Sequence, residues 1–375
     1  MAALLARLAV HDPAQLAAWH APAVLVIEAP GAVAIALDAD DDRDGRRVLT
    51  PARAPAPTLG QPLTLAPGSY RVTLTGADGA VVVAPVWLAR GERLVVRAPM
   101  PRADDIPAGF VYVPPGRFLF GLGGDDAVRT RLLAAAPLHQ RETSAYLIAR
   151  DETTYGEWMA YLRALAPAER ALRRPRTFST GPRSLMLDGD GPFTLRFQPA
   201  DVAHIAPAGV PLALGDRPRR ARVVWERAPV GGVAFADAQA YAAWLDATGR
   251  VPGARLCTEV EWERAARGAD GRAYPHGDEL AVDDANIDET YDRWPERFGP
   301  DEVGAHPAST SPFGVQDLAG NVKEWVIGLG GQPRIRGGGY YHSDLAAMSA
   351  AREPAEPSMR LPWLGVRVCA DPPAR

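Results

Sequence analysis

Lysine is nearly missing from this chain of 375 residues: Lys323 is the only one, and arginine supplies the other 40 of the 41 basic residues. Asparagine is almost as rare, standing only at Asn286 and Asn321. With 36 prolines and abundant alanine, the bias suggests a GC-rich genome. It is compatible with a thermophile, although a lack of lysine is not the usual mark of one. Cysteine occurs twice, at Cys257 and Cys369. Two cysteines cannot build the disulfide framework of a small secreted domain, and a chain this long buries a core without one. No apolar run is long enough to span a bilayer. The N-terminal stretch is interrupted by Arg7, His11, Asp12 and Pro13 and lacks the order of regions of a signal peptide. A reduced, cytoplasmic protein is the expectation. Charge of one sign is lacking too: 41 basic against 45 acidic residues leave a net charge of −4, which argues against nucleic acid or an anionic membrane as partner. The seven histidines are scattered, with no H-x-x-x-H pair. At 47% apolar and 23% charged, the composition is that of a globular chain, and the length allows two or three domains.

What is present changes character along the chain. Residues 1–21 read as a helix, or a helix pair broken at Pro13. Residues 22–100 hold short β-rich runs (AVLVIEA, AVAIALDA, SYRVTLTG, AVVVAPVWLA, RLVVRAPM) parted by Asp-Gly, Pro-Gly and Gly-Glu turn signals, which predicts a small antiparallel β-sandwich. Leu65 to Val72 is similar to the Pro-Gly-x-Tyr strand start of PEGA-type modules. Residues 101–107 read as a linker. From Phe110 to Gly121 a hairpin is predicted around Pro115-Gly116. Tyr155, Trp158, Met159, Tyr161, Leu162 and Leu165 recur with a helical period, capped by Thr153 or Thr154. A second helix is expected over 236–248. A third is expected from Thr258 to Arg267, where Thr258 and Glu261 make a capping box. Residues 166–228, rich in arginine and proline, give no readable pattern. Trp158, Trp244, Trp262 and Trp325 read as core, Cys257 as a small buried hydrophobe, and His276 as a packing residue of its loop.

The stretch from Arg336 to Val368 has neither helical period nor clean alternation. It opens on Gly337 to Gly339 and closes on the apolar run Leu364-Gly365-Val366-Arg367-Val368. It reads as a long loop pinned at both ends, with large side chains facing outward, the setting in which binding residues concentrate. The candidate contacts in its first half are Tyr340, Tyr341, His342, Ser343, Leu345, Met348 and Ala350. In its second half they are Glu353, Glu356, Met359, Leu361 and Trp363.

Several motifs stand in order: Phe110 to Gly121, Pro229 to Ala238, Arg255-Leu256-Cys257-Thr258-Glu259-Val260-Glu261-Trp262-Glu263, Tyr274 to Asp278, Asp317 to Trp325, Arg336-Gly337-Gly338 and Gly365-Val366-Arg367. Together they resemble the formylglycine-generating enzyme, or sulfatase-modifying factor, family over residues 108–371. The resemblance implies an α+β fold with a C-type lectin-like domain, here preceded by the small all-β sandwich. It also implies where chemistry would sit. Formylglycine-forming members carry two cysteines about five residues apart just after the Gly-Gly-Ser segment, to hold copper and handle oxygen; this chain has His342 and Ala347 near those places. The sulfoxide synthases of the family use a histidine-rich iron site supplied largely by a separate helical domain, which is not seen before residue 108. No catalytic residue is therefore assigned.

The reading is a non-enzymatic binding protein with a diversified surface over 336–368, similar to the variable proteins of diversity-generating retroelements. Its expected partner is a protein or other macromolecule, and the chain itself is expected to be a monomer. One alternative is the sensor part of a bacterial Ser/Thr kinase system, in which a small β module precedes this domain; a second is a formylglycine-generating-like oxidase. No cofactor is required, with calcium the one ion the resemblance admits. In the enzymes, the segment matching Asp317-x-x-Gly320-x-Val322-x-Glu324 binds calcium. This implies side-chain ligands from Asp317 and Glu324 and carbonyls from Gly320 and Val322, the oxygen set a hard cation takes. The alternative is a buried Glu324 hydrogen-bonded without a metal. Asn286-Ile287 would mark the family's other calcium segment.

Overall fold

The computed structural model describes residues 2–124, 126–132 and 134–372. Two short helices, α1 (Ala2–His11) and α2 (Pro13–His20), meet at Asp12, whose carboxylate caps α2 while Pro13 opens it. Seven strands come next: β1 (Ala23–Glu28), β2 (Ala32–Arg43), β3 (Arg46–Pro51), β4 (Leu63–Leu65), β5 (Gly68–Gly76), β6 (Val81–Leu88) and β7 (Arg93–Arg97). They form two sheets, ordered β4-β1-β7 and β3-β2-β5-β6. Alternation explains the packing. In β5, Tyr70, Val72 and Leu74 point inward, and in β6 so do Val82, Ala84, Val86 and Leu88, while their neighbours are more exposed. Within the sandwich, only the β1–β7 pair is parallel.

Beyond the sandwich, β8 (Phe110–Val113), β9 (Gly116–Phe120), α3 (Asp126–Arg131), β10 (His139–Thr143) and β11 (Tyr146–Ala149) lead into α4 (Tyr155–Ala164) and α5 (Pro167–Arg173). The predicted hairpin over 110–121 is corrected: β8 and β9 do not pair with each other. β8 pairs with β11 and β9 with β10, because the Pro114-Pro115 step hands the chain from one sheet to the next. The unread region 166–228 contains α5, a sheet of β12 (Ser184–Asp188), β13 (Thr194–Gln198) and β14 (His204–Pro207), and the short pair β15 (Leu212–Ala213) and β16 (Arg222–Val223). Leu185, Leu187, Phe193, Leu195 and Phe197 bury its inner face.

Then come α6 (Phe235–Ala247), β17 (Ala254–Leu256) and α7 (Glu259–Arg267), and after them a loop-rich stretch. The chain finishes with β18 (Lys323–Ile327), β19 (Pro333–Arg336), α8 (Asp344–Ala347), β20 (Arg352–Pro354), β21 (Leu364–Val366) and β22 (Val368–Ala370). Thr154 with Glu157 and Thr258 with Glu261 make the capping boxes that start α4 and α7. Two four-stranded sheets organise this part, β17-β22-β11-β8 and β20-β19-β18-β21. Trp158, Trp225, Trp262 and Trp325 are fully buried.

Polar contacts as well as apolar packing tie the sandwich to the larger C-terminal part. The Arg272 guanidinium sits between Asp270 and Asp40 of β2; the Ser69 hydroxyl donates to Asp270 (2.7 Å); the Arg47 amide donates to the His276 carbonyl (2.8 Å). Among the described residues, no helix is long and apolar enough to cross a membrane. The expectation of reduced thiols is corrected. Cys257, just past β17, and Cys369, in β22, are joined in a disulfide that lies wholly inside the protein. Antiparallel pairing of β17 with β22 brings two positions 112 residues apart side by side, a proximity no local pattern announces.

Candidate functional site

The segment after β19 is held at its start by a close backbone crossing. Gly338 has φ +70°, and a Cβ there would lie 2.9 Å from the Ala347 backbone, so α8 can lie against the glycine turn only because no side chain intervenes. Beneath this crossing, Arg336 pairs with Glu263 and donates to the Ser349 carbonyl (2.8 Å), and Arg352 reaches Glu259 (2.6 Å). The two acids lie on α7, so the segment is clamped to that helix by buried charge pairs.

This clamp sorts the twelve predicted contact residues. Tyr340 (0% exposed), Met348 (8%) and Ala350 (1%) are core, a correction to the sequence reading. Tyr340 packs edge-on against Phe197 of β13. Met348 and Ala350 join Leu122, Tyr274, Ile287 and Ala347 in a separate apolar cluster. The apolar residues at 348, 350 and 351 are thus accounted for by packing. Tyr341, His342, Ser343, Leu345, Glu353, Met359, Leu361 and Trp363 are half-buried, and Glu356 is exposed.

Tyr341, His342 and Trp363 form an aromatic cluster at this surface, with ring centroids 4.4 Å apart for the tilted pair Tyr341–Trp363 and 5.8 Å for the edge-on pair His342–Trp363. Tyr341 is fixed from behind by Phe298 (4.8 Å) and by a hydrogen bond from its hydroxyl to the Pro199 carbonyl, with the Arg183 guanidinium over its ring. Burial, with the Lys323 charge adding, holds the His342 imidazole down at about 3, so it is neutral at physiological pH. Lys323 was not among the predicted site residues, yet its side chain is buried and its ammonium meets the Glu353 carboxylate at 2.5 Å. Burial lowers its pKa. Its singularity in the composition was the available signal. Pro199, Phe197 and Arg183 come from the region that the sequence left unread.

Of the four predicted calcium ligands, the two that offer side chains, Asp317 and Glu324, are buried and hydrogen-bonded within the protein. Both oxygens of Glu324 accept from Arg367, whose Nη2 lies 2.7 Å from Oε1, and Oε2 also accepts from the Trp262 indole (2.5 Å). Asp317 accepts the Gly304 amide (2.6 Å). Nearby, Glu152 accepts the Asn321 side-chain amide (2.7 Å) and the Val322 amide (3.1 Å). At the other implied segment, the Asn286 side-chain amide donates to the Gly299 carbonyl (2.9 Å). A guanidinium therefore supplies the positive charge that the resemblance would give to a metal, and N–H groups point at the carboxylates. The side-chain oxygens of Asp317 and Glu324, each accepting N–H groups, do not fit as ligands of a hard cation. Among the described residues, no group of three or more His, Cys, Asp or Glu is arranged to hold a metal ion.

Burial lifts Asp317 from 3.8 to about 6 and raises Glu152 well above its ordinary value, Asp317 and Glu324 adding to the latter. A carboxyl whose folded pKa is raised favours the folded state most below its unfolded value, 3.8 here. That contribution is lost as pH rises through about 6. Asp317→Asn is therefore expected to flatten the fall in melting temperature between pH 4 and 7 and to stabilise the protein at pH 7.5 by about 1–3 kcal/mol. Asn also suits the positive φ (56°) at this position. A calcium ligand at Asp317 predicts the opposite: the substitution would destabilise at pH 7.5, and chelator would lower the wild-type melting temperature.

Comparison with known proteins agrees with this architecture. Residues 96–372 match the family described as Sulfatase-modifying factor enzyme 1-like domain. The chain is similar to a formylglycine-generating enzyme of Thermomonospora curvata, 29% identical over 240 residues that cover 59% of this chain and 72% of that one. It is also similar to a hercynine oxygenase of Mycobacterium tuberculosis, 40% identical over 104 residues, which cover 26% of this chain and 21% of that one. Among solved structures, PvdO from Pseudomonas aeruginosa superposes with a TM-score of 0.50 at 26% identity, covering 70% of this chain and 94% of that one. The fold is α+β with a C-type lectin-like domain of the formylglycine-generating type, and the chain belongs to the Sulfatase-modifying factor enzyme 1-like domain family.

Proposed function

We propose that this chain is a binding protein and not an enzyme, and that a protein ligand docks on the half-buried face of Tyr341, His342, Met359, Leu361 and Trp363. One observation carries the reading. The resemblance puts the family's cysteine pair near His342 and Ala347, and here those places hold a neutral imidazole packed against Trp363 and a fully buried methyl group. The chain's two cysteines are bonded to each other at the β17–β22 seam. Neither position can present a thiolate. What the face does present is an aromatic cluster, with half-buried Met359 and Leu361 and the acids Glu353 and Glu356 in the same segment, the composition of an interface core with a polar rim. No cofactor is needed for this role, and a monomer performs it.

Purified protein, incubated with copper, oxygen and a Cys-x-Pro-x-Arg peptide, is expected to leave the peptide's mass unchanged; turnover would overthrow the reading. Whether the surface is diversified is tested in the surrounding DNA. A reverse transcriptase gene with a near-copy of the codons for 336–368, differing mainly at adenines, establishes a retroelement variable protein. A kinase reading frame upstream, with no such copy, establishes a fixed sensor surface.

A further inference from the structure

A cleft of about 280 Å³ opens between the sandwich and the lectin-like domain, far in sequence from the C-terminal face. Trp87 of β6, Leu94 of β7 and Phe118 of β9 give it apolar walls, and Arg264 of α7 lines it. Arg264 is 3% exposed. Unlike the other buried arginines of α7 and its surroundings, it has no carboxylate within ion-pair distance among the described residues. Arg267 lies 3.6 Å from Glu263, and Arg272 and Arg336 have acids of their own. Among the described residues, Arg264 makes one side-chain hydrogen bond, from Nη1 to the Thr143 hydroxyl, and its Nε is buried with no acceptor. Burial lowers its pKa only to about 10, so it stays charged.

Neither neighbouring carboxylate makes an ion pair with it. Glu92 is taken by Arg117, and Glu142 is exposed at the rim. Gly116 leaves room for the guanidinium, since a Cβ there would lie 2.8 Å from Nη2. A buried cation with an unsatisfied edge is costly unless something else satisfies it. The Nε/Nη2 edge of a guanidinium presents two parallel N–H groups, the fork that matches a carboxylate.

We propose that this cleft binds a monocarboxylate with an apolar body, its carboxylate on the free edge of Arg264 and its hydrocarbon along Trp87, Leu94 and Phe118. One unpaired cation, with Glu142 at the rim, favours a singly charged anion over a phosphate. The mixture of apolar wall and a single placed charge is the usual make-up of a small-molecule site.

The test is calorimetric titration of the full chain with sodium octanoate, sodium butanoate and octan-1-ol. Octanoate is expected to bind saturably at one site, butanoate at least about tenfold more weakly, and octanol not at all. Arg264→Met is expected to weaken octanoate by about tenfold or more, the effect of losing charge-assisted hydrogen bonds. Because it removes an unpaired buried charge, it should leave the ligand-free melting temperature unchanged or raised. Absence of saturable octanoate binding to the wild type, equal binding of octanol, undiminished binding by Arg264→Met or a collapse of that variant's melting temperature would each overturn the proposal.

Discussion

Replacing Arg367 with leucine is expected to lower the unfolding free energy by about 3–5 kcal/mol, because it leaves the Glu324 carboxylate buried without its cation. Arg367 is enclosed, and every arm of its guanidinium is used. Nε and Nη2 bind Glu324, Nη1 donates to the carbonyls of Ala149 (3.0 Å) and Arg150 (2.8 Å), and Nη2 also donates to Gln316 (2.8 Å). One side chain thus ties the end of β11, the loop before Asp317 and β18 to the last strands. The loss is read from chemical unfolding of wild type and variant. A double variant, Arg367→Leu with Glu324→Leu, is expected to be less damaging than Arg367→Leu alone, since no charge is stranded. A single variant within about 1 kcal/mol of wild type would mean that the carboxylate is satisfied by something else, and calcium would be the first candidate.

The paired replacement Cys257→Ala/Cys369→Ala is expected to cost about 2–5 kcal/mol, since the link closes a loop of 112 residues and removes much of the unfolded chain's freedom. Both sulfurs are buried, so a thiol reductant should leave the native protein unmodified and reach the bond only once denaturant has opened it. Mass spectrometry after thiol alkylation distinguishes the cases. Two alkylated cysteines in native protein, with unfolding matching that of the alanine pair, would show that the thiols are free in solution.

Local signals carried over into structure where they are self-contained. The capping box Thr258/Glu261 starts α7 where the sequence places it, and of the two caps offered for α4 it is Thr154 that closes one, with Glu157, because the partners lie within one turn. The indoles of Trp158, Trp262 and Trp325 are buried as their helical and strand positions imply, whereas Trp244, read as core with them, is half-buried. Failures share a cause of the opposite kind. The β8–β9 hairpin, the sheet over 184–207, the disulfide and the burial of Tyr340, Met348 and Ala350 all depend on partners distant in sequence, and neither period nor propensity encodes the partner. Met348 looked exposed because its neighbours are small and irregular; it is buried because Leu122, Tyr274 and Ile287 converge on it. The motif Asp317 to Trp325 was legible as a segment, but whether a metal or Arg367 neutralises it depends on a residue that arrives 43 positions after Glu324.

Docking of a protein on the C-terminal aromatic face is tested by photo-crosslinking in the source cells. Benzoylphenylalanine is carried at position 363 in place of Trp363 or, as control, at Val33 on β2, which is 68% exposed on the sandwich. One discrete protein adduct is expected from position 363 and none from position 33. Trp363→Ala is also expected to weaken the captured partner by about 2 kcal/mol or more while the melting temperature holds. No adduct from position 363, or a Trp363→Ala variant that loses its fold, would contradict docking there.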